Sequence, residues 1–406
     1  MVTTVGRVRV QGHCEGGFGR VADVLAAHLE SGRDVGASVG VYRDGKPVVQ
    51  IWGGLADPGR GLSWAEHTIT PIGSTSKALA STAVLILVDR GLLDLDAPVA
   101  SYWPAFGQND KEEIPVRLVL SHRSGIAALD APISNDQAAA LDPVLRLIEQ
   151  QRPWWRPGTK HGYHAMTYGF ILSGLVRAVT GRTVGEFFAA EVANPLDLDL
   201  HIGLPREMYD TVAPMIGPSQ RQAIRSMLNP VWFRFALGIA TRRSASYRAT
   251  FGGTSVGYDD AGELVRYDVE DASAGAVGNG PSLARMFAAL IGEVDGTRLI
   301  STDLMNAARQ PQASGRDVVL RVRTDFGLGF ALPGGPMWPD IGVPGLFGHS
   351  GASGSLGFAD PEHRLAFGYT PNLWAELSGW FSTPFRFQAL TEAVYDCAGV
   401  PRWARS

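Results

Sequence analysis

The sequence predicts a mixed α/β fold. An antiparallel β-sheet, flanked by helices and completed by both ends of the chain, is joined by an inserted, mainly helical segment. Three observations carry that prediction. Near the N-terminus, two β-rich runs flank Asp44-Gly45 in ASVGVYRDGKPVVQIWGG, a hairpin signal. The last third returns to β-character in DFGLGFAL (325–332), GLFGHSGASGSLGFAD (345–360) and RLAFGYTPN (364–372), read as three antiparallel strands. Between these ends, from about 95 to 200, helical patterns alternate with Pro- and Gly-punctuated loops.

Taken in order, a first helix is expected over about 18–31, ahead of the hairpin. Residues 74–90 read as a helix, with Leu79, Val84, Leu85, Leu87 and Val88 as apolar positions and Gly91 as its stop. The apolar run MTYGFILSGLVRAVTG predicts another helix over 166–181. Residues 205–265 mix aromatics and arginines without a clean period (NPVWFRFALGIATRRSASYRATF), the pattern of a substrate-covering insertion or a mobile loop. A helix over roughly 382–397 closes the chain. The expected division is a sheet domain from 1–98 and 266–406 and a helical domain from 99–265, the latter including the insertion.

Composition narrows the function. A chain of 406 residues with 45% hydrophobic and 19% charged residues is that of a globular protein, and its net charge of −4 offers no basic surface for nucleic acid or an anionic membrane. Cys14 and Cys397 lie at opposite ends without CxxC spacing, against a disulfide framework or a zinc-cysteine site. No run approaches 18 apolar residues and the N-terminus lacks a signal-peptide stretch, so a soluble cytoplasmic protein is expected. Of nine histidines the one close pair, His161 and His164, has no acidic ligand nearby, so no metal or other cofactor is expected.

One stretch carries chemistry. TPIGSTSKALAS (70–81) holds Lys77, one of only four lysines among 36 basic residues. In a helix Ser74 and Lys77 lie at i and i+3, on one face and within hydrogen-bond reach. A serine hydroxyl attacks well only when a neighbour takes its proton, and a lysine does so once burial lowers its pKa. The apolar run that follows Lys77 supplies such burial. The same string also fits a helix capped by Ser74 or Thr75 with Lys77 reaching to water. Two G-x-S-x-G strings, around Ser38 and Ser255, lack the strand–turn–helix context of a nucleophile elbow.

PIGSTSKALASTAVLILVDRGLLDLDAPVASYWP (71–104) resembles the nucleophile region of the serine β-lactamase/penicillin-recognising superfamily, nearest to class C β-lactamases and family VIII carboxylesterases. VRLVLSHRSGIAAL (116–129), RPGTKHGYHAMTYGFILSGLVRAVTGRTVGEFFAAEVANPLDL (156–198), GAVGNGPSLARMFAALI (275–291) and GLFGHSGASGSLGFADPEHRLAFGYTPN (345–372) resemble its further blocks in the expected order. The resemblance implies a β-lactamase/transpeptidase-like fold and Ser74 as acyl-accepting nucleophile, with Lys77 as base or proton relay. It implies Tyr163 as the catalytic tyrosine, with Tyr168 as its rival, and an oxyanion hole built from the backbone N–H groups of Ser74 and Ala352. His122 matches a structural loop residue.

Two departures point away from penicillins. The superfamily's Tyr-x-Asn reads Tyr163-His164-Ala165, and its Lys-Thr-Gly reads His349-Ser350-Gly351. The lost lysine ordinarily holds a substrate carboxylate, and histidine is a weaker anion anchor near pH 7. His349, Ser350 and Gly351 are therefore expected to line the site or relay protons, and Trp232 and Trp338 to wall an acyl pocket. The expected function is hydrolysis of small neutral esters through an acyl-enzyme on Ser74. Acyl transfer, weak β-lactamase or D-amino-acid peptidase activity, and an inactive scaffold are the alternatives; the oligomeric state is not legible.

Overall fold

A computed structural model describes residues 3–5, 8–217, 241, 244–251, 266–335, 338, 341–374 and 385–401. In chain order its strands are β1 (Thr3–Val5), β2 (Val8–Cys14), β3 (Gly36–Arg43), β4 (Lys46–Asp57), β5 (Leu62–Ser63), β6 (Thr70–Pro71) and β7 (Leu200–His201). They continue with β8 (Val277–Gly278), β9 (Ala313–Arg316), β10 (Arg323–Phe326), β11 (Phe347–Ser350), β12 (Leu356–Asp360) and β13 (Leu365–Pro371). The main sheet runs β1–β2–β4–β3–β13–β12–β11, antiparallel throughout, with β5 added to β4. Its central junction is β3 against β13, in register at Gly40 and Gly368, so the two ends of the chain do complete one sheet.

Both faces of this sheet are covered, which is why β3 is buried from Gly36 to Tyr42 instead of alternating. Val39, Val41, Val49 and Ile51 share one apolar cluster with Val21 and Leu25 of helix Gly19–Glu30 and Leu390 and Val394 of helix Phe385–Ala398. Tyr42 joins a second cluster with Leu283, Ala284 and Phe287 of helix Gly280–Ile291. That helix lies so close that a Cβ at Gly368 would sit 2.1 Å from the Gly280 carbonyl oxygen. Cys14 and Cys397, far apart in sequence, both pack against the first cluster as free thiols.

Helix Ser76–Asp89 is buried along its whole length from Ser76 to Leu87. A helix apolar on every side belongs inside a core. It packs against helix Thr167–Thr180, close to the bounds expected from sequence, and their apolar residues continue the second cluster.

Three expectations need correction. The stretch 345–360 is two strands, β11 and β12: Gly354 N–H donates to Gly351 O (2.9 Å) and Gly351 N–H to Ser355 O (2.9 Å), closing a turn inside GASGS. The strand expected over 325–332 ends at Phe326, where Gly327 turns to donate to Phe330 O (2.9 Å); β10 pairs instead with β9, which periodicity had not shown. Helix 74–90 starts at Ser76, because Gly73–Thr75 form a separate 3₁₀ turn. Within 205–265 the described residues include a 3₁₀ helix Arg206–Thr211 and helix Ala245–Phe251; most of the expected insertion lies outside the described residues.

Candidate active site

Ser74 sits in the 3₁₀ turn ahead of the buried helix, and neither its side chain nor that of Thr75 caps it. The turn is held on two sides. Toward β8, Ser76 Oγ donates to Gly73 O (2.5 Å) and accepts the Ala276 N–H (3.1 Å). Toward the β11–β12 turn, Ser355 Oγ donates to Ile72 O (2.6 Å) and shares a hydrogen bond with Thr75 Oγ1 (2.8 Å). Gly73 adopts φ +51°, and a Cβ there would lie 3.2 Å from the amide nitrogens of Ala352 and Ser353. A glycine, lacking a Cβ, lets the Ser74 turn and the Ala352 loop come this close without crowding.

Lys77 follows one turn later and is fully buried. Its Nζ donates to Ala165 O (2.7 Å) and Ser273 O (2.9 Å) and lies 4.7 Å above the centre of the Tyr163 ring. A neutral amine has two N–H donors and one lone pair, so the two carbonyls take both donors and leave the lone pair as an acceptor. Burial pushes the amine down from 10.5 to about 7, opposed by the nearby Asp271 carboxylate. The snorkelling alternative is excluded by this burial.

Tyr163 is buried with its amide donating to Asp317 Oδ2 (2.9 Å). Its ring stacks on Phe326, centroids 6.0 Å apart and planes 12° apart, and touches His122 at 5.0 Å. Burial raises the phenol, and a hydrogen bond with the Ser74 side chain opposes that rise. Tyr168, its rival, instead shares a hydrogen bond with Ser81 (2.8 Å) and donates to Leu120 O (3.3 Å), one turn beyond Lys77.

Every imidazole around Lys77 is neutral. His349 places Nδ1 2.7 Å from Ser350 O, and since a carbonyl only accepts, that nitrogen carries the proton. Nε2 is then a buried acceptor without a hydrogen-bond partner among the described residues. Burial, aided by the Lys77 charge, holds His349 at about 3. His164, bonded to Ser124 Oγ (2.8 Å) and Gly162 O (2.6 Å), is pushed down to about 4 by burial. His122 accepts the His164 N–H at Nδ1 (3.2 Å) and is lowered well below the usual imidazole range by burial first.

The other sequence-derived candidates separate. Ser350, Gly351 and Ala352 lie at the end of β11 beside the Ser74 turn. Trp338 packs on Phe358 at 6.2 Å, and among the described residues no ring or polar contact ties it to Ser74, Lys77 or Tyr163. Trp232 and Ser255 lie outside the described residues. Ser38 is a buried tie between strands, sharing a hydrogen bond with Thr370 (2.9 Å) and accepting the Gly280 N–H (2.9 Å). Asp271, Ser273 and Asp317 were not found from sequence. Ser273 meets Lys77 through its carbonyl and Asp317 meets Tyr163 at its amide, contacts that leave no side-chain motif, and Asp271 bears on Lys77 without a direct contact.

Residues 21–382 match the beta-lactamase family. The chain belongs to the beta-lactamase family. It is 36% identical over 373 residues to the esterase/beta-lactamase LipL of Mycobacterium tuberculosis, covering 90% of this chain and 83% of that protein. The crystal structure of a family VIII carboxylesterase superposes with a TM-score of 0.81 at 32% identity, covering 96% of this chain and 99% of that one. A penicillin-binding protein homologue from Caulobacter crescentus gives 0.81 at 30% identity, covering 96% and 99%. As a beta-lactamase family member the protein is a serine hydrolase. Within that family's frame, Ala165 offers Lys77 a carbonyl but no side-chain amide, and His349 offers no charge. Among the described residues no helix is long and apolar enough to cross a membrane, and no cluster of three His, Cys, Asp or Glu could hold a metal.

Proposed function

We propose that this serine hydrolase is a carboxylesterase acting on small neutral esters through an acyl-enzyme on Ser74. The observation that carries the reading is the buried Lys77, whose Nζ donates to two carbonyls, so that its neutral form keeps a lone pair to accept a proton. As Ser74 Oγ attacks the ester carbonyl, its proton passes to Lys77 Nζ. The resulting oxyanion is stabilised by the N–H groups of Ser74 and Ala352, each such donor being worth roughly 10²–10³-fold in rate. Tyr163 carries the proton onward to the leaving alkoxide, and water then releases the acid by the reverse relay.

The preference for neutral substrates follows from His349. With its proton on Nδ1, it presents only a lone pair at Nε2, which repels a carboxylate where a lysine would bind one. The resemblance to a family VIII carboxylesterase and to a protein named esterase/beta-lactamase supports ester cleavage. The second of those names also favours residual β-lactam hydrolysis. Purified protein is expected to hydrolyse short-chain nitrophenyl esters and leave a chromogenic cephalosporin mostly intact. Efficient cephalosporin turnover would replace the ester reading with the β-lactamase one.

A further inference from the structure

We propose that Asp271 is a positioning residue of this reaction: its buried carboxylate sets the charge carried by Lys77, and with it the pH at which Ser74 is activated. The inference rests on the Ser74–Lys77 reading above. Asp271 is only 1% exposed and lies two residues before Ser273. Oδ1 accepts the Ser273 N–H (2.8 Å), and the Ser273 carbonyl in turn accepts from Lys77 (2.9 Å). The Ala274 N–H and the Ser273 hydroxyl also bear on the carboxylate. Oδ2 is buried with no hydrogen-bond partner among the described residues, an expensive arrangement for a group with a purely structural task.

No direct ion pair joins Asp271 to Lys77 within 4.0 Å among the described residues, so the carboxylate acts through the low-dielectric interior. The other titratable groups around the amine are Tyr163 and His164 from the loop before helix Thr167–Thr180, His122 from the loop after Leu120, and His349 from β11. All three imidazoles are neutral, and Asp317 acts on Tyr163. Among the described residues Asp271 is thus the carboxylate that bears on Lys77. Its negative charge favours the ammonium, opposing burial. It also stabilises the ammonium that forms when Lys77 takes the Ser74 proton. Removing the charge makes Lys77 a weaker base that is neutral over a wider pH range.

The test is the rate of Ser74 phosphonylation by a nitrophenyl phosphonate as a function of pH, in the full-length native protein and in Asp271→Asn. Asparagine keeps an acceptor for the Ser273 N–H, so the turn survives. The expected result is an acid limb displaced downward by about one pH unit or more, with a plateau about tenfold lower. A limb at the native position, with or without a lower plateau, would overturn the proposal and leave Asp271 a structural residue. If Asp271→Asn does not fold, Asp271→Ser, which retains a hydroxyl acceptor for the turn, is read by the same two criteria. Failure of the underlying reading is distinct: native protein unlabelled at Ser74, or labelling unaffected by Lys77→Met, would remove both proposals whatever Asp271 does.

Discussion

Replacing Lys77 by methionine divides what the amine does for chemistry from what it does to stability. Burial holds it near 7 against an ordinary 10.5, a gap equivalent to about 5 kcal/mol disfavouring the ammonium in the fold. The unfolded chain keeps this proton up to about 10.5 and the native chain only to about 7, so between those values the unfolded state binds more protons. Native stability therefore rises with pH in that window, by roughly 2–3 kcal/mol between pH 6 and pH 9. Methionine removes the titration but leaves the Ala165 and Ser273 carbonyls without their donor, at about 1–3 kcal/mol each. At pH 6 relief and loss nearly cancel. At pH 9 the variant falls a further 2–3 kcal/mol or so behind. Without the ammonium Asp271 climbs further, which acts in the same direction. Urea denaturation at both pH values reads the contrast, and ester hydrolysis is expected to drop about 10²–10⁴-fold at each. Native and variant stabilities that run parallel from pH 6 to pH 9 would refute the claim of a desolvated amine.

Other consequences follow from the same contacts. Tyr163→Phe keeps the stack on Phe326, so it is expected to unfold within about 1 kcal/mol of the native protein while kcat falls roughly 10²–10⁴-fold; an unchanged kcat would exclude the hydroxyl from proton transfer. Asp317 accepts from the amides of Tyr163, Val319 and Leu320 and from Thr324, and an asparagine cannot accept at both oxygen positions. Asp317→Asn is therefore expected to cost about 1–3 kcal/mol in thermal or urea unfolding and to lower kcat by displacing Tyr163, and native-like stability would contradict that role.

Much of this arrangement was legible in sequence, and the reason differs from residue to residue. The apolar run after Lys77 announced its burial, because a helix with no polar face has nowhere else to go. The family resemblance put Tyr163 ahead of its rival Tyr168, and the structure gives the two tyrosines different serine partners. The turn within GASGS carried its own signal, a glycine–serine cluster, but the apolar residues on both sides of it read as one continuous β run. Asp317 and Ser273 were invisible for another reason. Asp317 reaches Tyr163 through a backbone amide 154 residues away, and Ser273 reaches Lys77 through a carbonyl 196 residues away. A backbone group carries no residue identity, so no motif records such contacts.

The account's central claim is that Ser74 is the residue that becomes acylated. Intact-protein mass spectrometry and peptide mapping after reaction with a nitrophenyl phosphonate test it most directly. The expected result is a single adduct on Ser74, absent from Ser74→Ala, with esterase activity lost in proportion to labelling. An adduct on another serine, or a Ser74→Ala variant that retains full esterase activity, would contradict it.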